Sequence, residues 1–105
     1  MNDKRRRQLK SLIKQLEKIS GKLEQLKNDA EEIQSAIVEL RDEEQDAFDN
    51  LPESIQETER GERMEEAVDK LDDADSSAGN IGDSIEEANE YIAEVIEAIE
   101  EAMNA

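Results

Sequence analysis

Apolar residues recur at alternating steps of three and four along both halves of this chain. In the first half they run Leu9, Leu12, Leu16, Ile19, Leu23, Leu26, Ala30, Ile33, Ile37 and Leu40; Glu44 interrupts, then Ala47 and Leu51 resume. In the second half they run Met64, Ala67, Leu71, Ala74, Ala78, Ile81, Ile85, Ala88, Ile92, Val95, Ile99 and Ala102. A 3–4 alternation keeps its residues on one stripe of a helix, and over several heptads it predicts a coiled coil. Pro52, the only proline, lies between the halves and disfavours helix at Leu51. A connection this short excludes a parallel pair within one chain. The predicted fold is all-α: an antiparallel helical hairpin in a single domain, residues 1–105.

Composition agrees with a narrow seam rather than a broad core. Hydrophobic residues make up 35% and aromatics 2%, while charged residues reach 41%, a mixture typical of long helices. The chain has no Cys and no His, which removes thiolate chemistry, the usual general base and the commonest metal ligand. Carboxylates abound, but on solvated helix faces with no apolar cleft to raise a pKa. We therefore expect no enzymatic activity, no catalytic residue and no cofactor. Asp73, Asp75 and Ser77 start like a calcium loop. Gly79 then falls one position late and Ser84 stands where a Glu is needed, so no metal site is expected. No apolar run is long enough for a membrane span, and no apolar signal core follows the basic N-terminus. These features imply a soluble, cytoplasmic protein without direct nucleic-acid or membrane binding.

The net charge of −17 is unevenly spread: residues 1–27 hold nine Lys/Arg against three Asp/Glu, a net +6. The segment 83–105 carries Asp83, seven Glu and no base. The antiparallel hairpin lays these segments side by side, and the summed pattern disfavours the parallel alternative. Two registers satisfy the layering, with paired positions summing to 104 or to 111. The second pairs large residues with small, Ile33 with Ala78 and Leu23 with Ala88, and uses the whole stripe, so core filling favours it. It predicts helix 1 over about 4–49, a connector over about 50–59 and helix 2 over about 60–103. Ser54 and Glu57 have capping-box spacing, which suggests a helical turn inside the connector. Gly79, Asn80 and Gly82 weaken helix 2, and a kink or break is expected over 79–84.

With Leu9 and Met64 taken as heptad position a, Ile13, Phe48, Val68, Ile96 and Met103 all fall at e. A second apolar ribbon of this kind suits dimerisation into a four-helix bundle or a higher oligomer. We therefore expect self-association through Ile13, Val68, Ile96 and Met103. The alternative is that the ribbon widens the intramolecular seam.

The central stretch DAFDNLPESIQETERGERMEEA (Asp46 to Ala67) concentrates the unusual residues. Asn50 ends a helix, Pro52 starts a turn and Gly61 relaxes the re-entry. Arg60 and Arg63 are left over in a half that otherwise has only Lys70 as a base. They are either counter-charges for neighbouring carboxylates or forks for an anionic ligand. Phe48, Asn50, Arg60, Gly61 and Arg63 form the candidate ligand- or partner-binding set.

The segment EEQDAFDNLPESIQETERGERMEEAVDKLDDA (Glu43 to Ala74) resembles a motif of small acidic helical proteins of bacterial phages and prophages. The resemblance is close over the middle third and extends to the flanks only in composition. It implies a phage or mobile-element origin, a helical fold and a bacterial host cell, but no assigned activity. The expectation that follows is a self-associating, non-enzymatic protein that counters or modulates a host function, such as immunity. It would do so by stoichiometric binding of a host protein or of a nucleotide-derived signal held by Arg60 and Arg63. Two alternatives stand beside it: an acidic DNA mimic that blocks a host DNA-binding protein, and a structural coiled coil of phage assembly.

Overall fold

The computed structural model describes all 105 residues, and every regular element is a helix. Helix α1 spans Asp3–Asp49, the short α2 spans Glu53–Gln56 and α3 spans Glu59–Met103. The chain divides into two compact units. A terminal unit comprises Met1–Asn28 with Gly82–Ala105, and a hairpin unit comprises Asp29–Ile81.

Helix α1 begins on Asn2, whose Oδ1 accepts the Arg5 backbone N–H at 2.8 Å, and Asp3 adds a favourable negative charge to the first turn. It ends in the hairpin unit without a left-handed residue, since no residue of the chain has positive φ. The Gln56 side chain supplies the cap instead. Its Nε2 donates to the carbonyls of Phe48 at 3.1 Å and Leu51 at 3.2 Å, and the Phe48 carbonyl also accepts the Leu51 N–H at 3.0 Å.

The expected turn within the connector exists as α2, but its cap differs from the sequence reading. Pro52, at φ −55° and ψ 142°, occupies the N-cap position, and no side chain caps the helix. The Pro52 carbonyl accepts the N–H groups of Ile55 at 2.8 Å and Gln56 at 3.0 Å. Ser54 therefore lies inside α2, and no Ser54–Glu57 capping box forms. Proline's fixed φ already holds the chain at the angle a helix start needs.

Of the kink or break expected in the second helix, the break does not occur: α3 runs unbroken through Gly79, Asn80 and Gly82. Two helical glycines cost about 1 kcal/mol each relative to alanine, which is too little to break a helix supported by tertiary packing on both sides. Gly79 has a packing reason. A Cβ there would stand 3.1 Å from Gln34 Nε2, so its absence lets Gln34 lie close against α3.

In each unit, α1 and α3 segments run antiparallel in one register. In the hairpin unit Gln34 meets Asp75 and Arg41 meets Asp72. In the terminal unit Arg6 meets the Met103 carbonyl, Ser20 meets Asn89 and Lys27 meets Glu86. These pairs bracket the larger of the two expected sums, and none fits the register centred on Pro52.

The seam between the helices is not the expected a/d stripe. Positions a and e are withdrawn from solvent in both helices, and in α3 the d residues Ala67, Ala74 and Ala88 are half-buried as well. In α1 every d position from Leu12 to Ala47 is exposed. The core is thin: Val68 at 5% exposure and Ala78 at 8% are its only buried apolar side chains. Position e opposes position e at Arg6–Met103, Ser20–Asn89 and Gln34–Asp75. In an antiparallel pair this geometry gathers both e flanks on one side and both d flanks on the other. Each unit thus has a closed e side and an open d side.

Candidate interaction surfaces

The e flank expected to drive self-association is turned inward. Val68 is the most buried side chain of the hairpin unit. Ile13, Ile96 and Met103 are half-buried in the terminal unit, and the register sets Ile13 opposite Ile96. Phe48, also at e, is half-buried in the hairpin unit. The e residues widen the intramolecular seam, because polar partners at intervening e positions tie the two helices together on that side. Ser20 Oγ donates to Asn89 Oδ1 at 3.0 Å, and Gln34 Nε2 donates to Asp75 Oδ1 at 2.8 Å. Arg41 Nε donates to Asp72 Oδ1 at 2.8 Å, and its Nη1 reaches Asp42 at 3.2 Å. The bond to Asp72, then that to Asp42, holds the Arg41 guanidinium above its already high ordinary pKa.

The open d side carries the apolar surface the e flank lacks. Leu12, Ile19 and Leu26 in the terminal unit, and Ile33 and Leu40 in the hairpin unit, expose 44–61% of their surface at strict seven-residue spacing. On α3, Val95 in the terminal unit and Ile81 in the hairpin unit are exposed d residues as well. Scattered exposed leucines are ordinary; heptad spacing instead gathers these on one stripe in each unit, as an apolar patch. A shallow depression lies on this side of the terminal unit, lined by Met1, Arg5, Gln8, Leu9, Ser11 and Leu12.

The d side of the terminal unit is also polarised. Its α1 rim, positions c and g with Arg5 at d, offers Lys4, Arg5, Lys18 and Lys22 and no carboxylate. Its α3 rim offers Glu87, Glu94 and Glu101 at heptad position c and no base. The three acidic residues of the α1 segment, Asp3, Glu17 and Glu24, all fall at b, on the closed side.

The central candidate residues do not form one site. Arg60 and Arg63 share a shallow groove in the hairpin unit with Glu44, Glu59 and Met64. Arg63 is paired there with Glu59, four residues earlier on the same helix, with both side chains about three-quarters exposed. Two carboxylates thus accompany the two arginines, which matches the counter-charge reading of Arg63; no hydrogen bond or ion pair holds Arg60. Asn50 is exposed at the end of α1, where its N–H bonds the Asp46 carbonyl at 3.0 Å. Gly61 is buried against the connector: a Cβ there would lie 2.0 Å from the Gln56 carbonyl oxygen. Its role is this close approach of backbones.

No three carboxylates are arranged to hold a metal ion, and Asp73, Asp75 and Ser77 lie within continuous helix α3. No helix is long and apolar enough to cross a membrane. No family model, curated protein or solved structure matches this chain.

Two features escaped the sequence reading. The Gln56 cap depends on connector geometry that no spacing rule encodes. The d side was hidden because a, d and e are all rich in apolar residues. The matched polar e pairs, Ser20 with Asn89 and Gln34 with Asp75, were the available signal that e faces e.

Proposed function

We propose that this protein is a non-enzymatic binding protein that acts stoichiometrically, presenting the d side to apolar helical partners. The observation that carries the reading is the exposed heptad-spaced pair Ile33 and Leu40 on the d side of the hairpin unit. A hairpin that needed only its own seam would have polar residues there, because each half-exposed Leu or Ile forgoes about half of the ~1.5–3 kcal/mol that full burial gives. An amphipathic helix laid along such a stripe reads it through i, i+3, i+4 and i+7 anchors. The resemblance of the central segment to phage proteins supports a host protein as the target and interference with a host function, such as immunity, as the outcome. Binding of a nucleotide-derived signal by Arg60 and Arg63 draws less support, since Glu44 and Glu59 share that groove.

The test is capture of host proteins from bacterial lysate with the intact chain and with an Ile33→Ser, Leu40→Ser variant. A specific partner lost with the variant, at unchanged helicity, supports the reading. Equal capture by both overturns it.

One observation favours the DNA-mimic alternative. The hairpin unit holds nineteen acidic and four basic residues, a net −15, and two of those bases, Arg41 and Arg63, are in ion pairs within the unit. A mimic would compete with DNA for a host protein, and its binding would weaken steeply as salt rises.

A further inference from the structure

We infer that the d side of the terminal unit is covered by a second copy of this chain, with the α1 segment of each copy lying against the α3 segment of the other. The inference rests on reading the d side as a docking face and names its occupant there.

Charge selects this arrangement. The α1 segment of the unit carries a net +6 and the α3 segment a net −8. On the open side the separation is complete: Lys4, Lys18 and Lys22 rim one helix, and Glu87, Glu94 and Glu101 rim the other. Packing α1 on its own copy would set cation rim against cation rim and glutamate rim against glutamate rim. Like charges juxtaposed across an interface oppose association, whereas complementary rims fix partner and orientation. With α1 against the other copy's α3, each basic helix has an acidic helix on both sides, one from its own chain and one from the partner.

Side-chain volume selects the same arrangement independently. The exposed d positions of the α1 segment are large, Leu12, Ile19 and Leu26. The d positions of the α3 segment are the half-buried Ala88 and the exposed Val95 and Ala102. Large residues facing small ones fill a layer, while α1 on α1 would crowd three large pairs and leave alanine facing alanine. An isologous pair makes both favourable contacts twice, as two-fold symmetry requires. The product is a four-helix bundle whose intramolecular seams use a and e and whose intermolecular seams use d.

Sedimentation equilibrium and charge exchange test this. The intact chain should sediment at twice its 11.9 kDa mass, and a strict monomer overturns the inference. That result leaves the proposed binding function standing if host-partner capture still depends on Ile33 and Leu40. Leu12→Ser, Ile19→Ser and Leu26→Ser together should weaken the dimer at least ~100-fold with helical circular dichroism retained, because these side chains are exposed in the single chain. Two further variants report the arrangement. One carries Glu87→Lys, Glu94→Lys and Glu101→Lys; the other carries Lys4→Glu, Lys18→Glu and Lys22→Glu. Each alone should be monomeric and an equimolar mixture should be dimeric, since only the mixed pair restores opposite charges at both contacts. Dimers from each variant alone, or none from the mixture, overturn the arrangement. Should a charge variant fail to fold, single cysteines decide. The native chain has none, and a mixture of Ile19→Cys and Val95→Cys chains should form the mixed disulfide in preference to either homodisulfide. Predominance of the Ile19→Cys homodisulfide overturns the arrangement.

Discussion

Gln34 donates a side-chain N–H to the Asp75 carboxylate at 2.8 Å, and the same nitrogen lies 3.4 Å from the Asp75 carbonyl oxygen. Both residues are half-buried at position e, where a pure coiled-coil seam would hold aliphatic side chains. One residue of slippage would separate them and leave a carboxylate facing apolar neighbours. The pair therefore acts on register more than on total stability, as single polar layers do in other coiled coils.

A double-mutant cycle measures this. Gln34→Ala and Asp75→Ala should show a coupling of about 1 kcal/mol in urea unfolding, in line with a partly solvated hydrogen bond to a charged group. Coupling near zero would mean that the contact contributes nothing to the seam. Replacing both residues with leucine should preserve or raise stability while broadening the amide resonances of the hairpin unit, the sign of competing registers.

Glycine substitutions should change stability in opposite directions along the same chain. A Cβ at Gly21 or Gly82 meets no atom within 4 Å, so Gly21→Ala and Gly82→Ala should each stabilise by about 0.5–1 kcal/mol through helix propensity and unfolded-state entropy. At Gly61 the Cβ would collide with the carbonyl oxygen, carbonyl carbon and Cα of Gln56. Backbone cannot step aside as a flexible side chain does, so Gly61→Ala should cost at least about 2 kcal/mol despite its better propensity. Thermal unfolding of the three variants side by side checks the sign of each.

Much of this architecture is legible in the sequence, and what is not has a physical cause. The 3–4 spacing, Pro52 and the pairing of large with small residues lead to two long antiparallel helices near the register that sums to 111, although the a/d layers that selected it, such as Ile33 on Ala78, do not form the seam. Phase is harder. Steps alternate between three and four residues in the a/d frame and in the a/e frame alike, so apolar residues at all three positions leave the seam undecided. Val68, Ile96 and Met103 outweigh Ala67, Ala88 and Ala102 in size, and burying the larger set brings e inward on α3. Leu12 to Leu40 are then left outside on α1. In the connector, composition marks the reversal, but the side chain that caps α1 is Gln56, which carries no turn signature of its own.

Removal of that cap is a direct test. Gln56→Ala leaves the carbonyls of Phe48 and Leu51 without the Nε2 donor, and should cost about 1–2 kcal/mol. Faster hydrogen exchange should be confined to the last turn of α1 and to α2. A global increase would show instead that the connector holds the whole unit.

Arg41 gives a prediction for pH. Its guanidinium is stabilised in the charged form by Asp72 and then by Asp42. A cation whose folded-state pKa is raised contributes stability that is fully present below its unfolded value and is lost only as pH rises through the folded one. For Arg41 that window lies beyond ordinary buffers. Arg41→Gln should therefore lower the urea midpoint by a small amount that stays constant from about pH 6 to about pH 10. Arg41→Lys should match the native chain at the neutral end and fall toward the Gln variant as the lysine deprotonates. A native Arg41 contribution that varied over this range would mean that a group other than the guanidinium controls the pair.

Equal truncations on the two sides of the hairpin unit should separate seam from surface. Val68 is 5% exposed and Ile33 is 61% exposed, although Ile33 belongs to the more regular apolar stripe. If the seam runs through a and e, Val68→Ala removes buried methyl groups and leaves a small cavity, at a cost of about 1–2 kcal/mol. Ile33→Ala removes more carbon but mostly from water, and should cost less than about 1 kcal/mol in the isolated chain. The order reverses for partner capture, where Ile33 presents its side chain and Val68 does not. Urea unfolding and partner capture on the same two variants give the four values needed. Were Ile33→Ala the more destabilising of the two in the isolated chain, the seam would have to run through d.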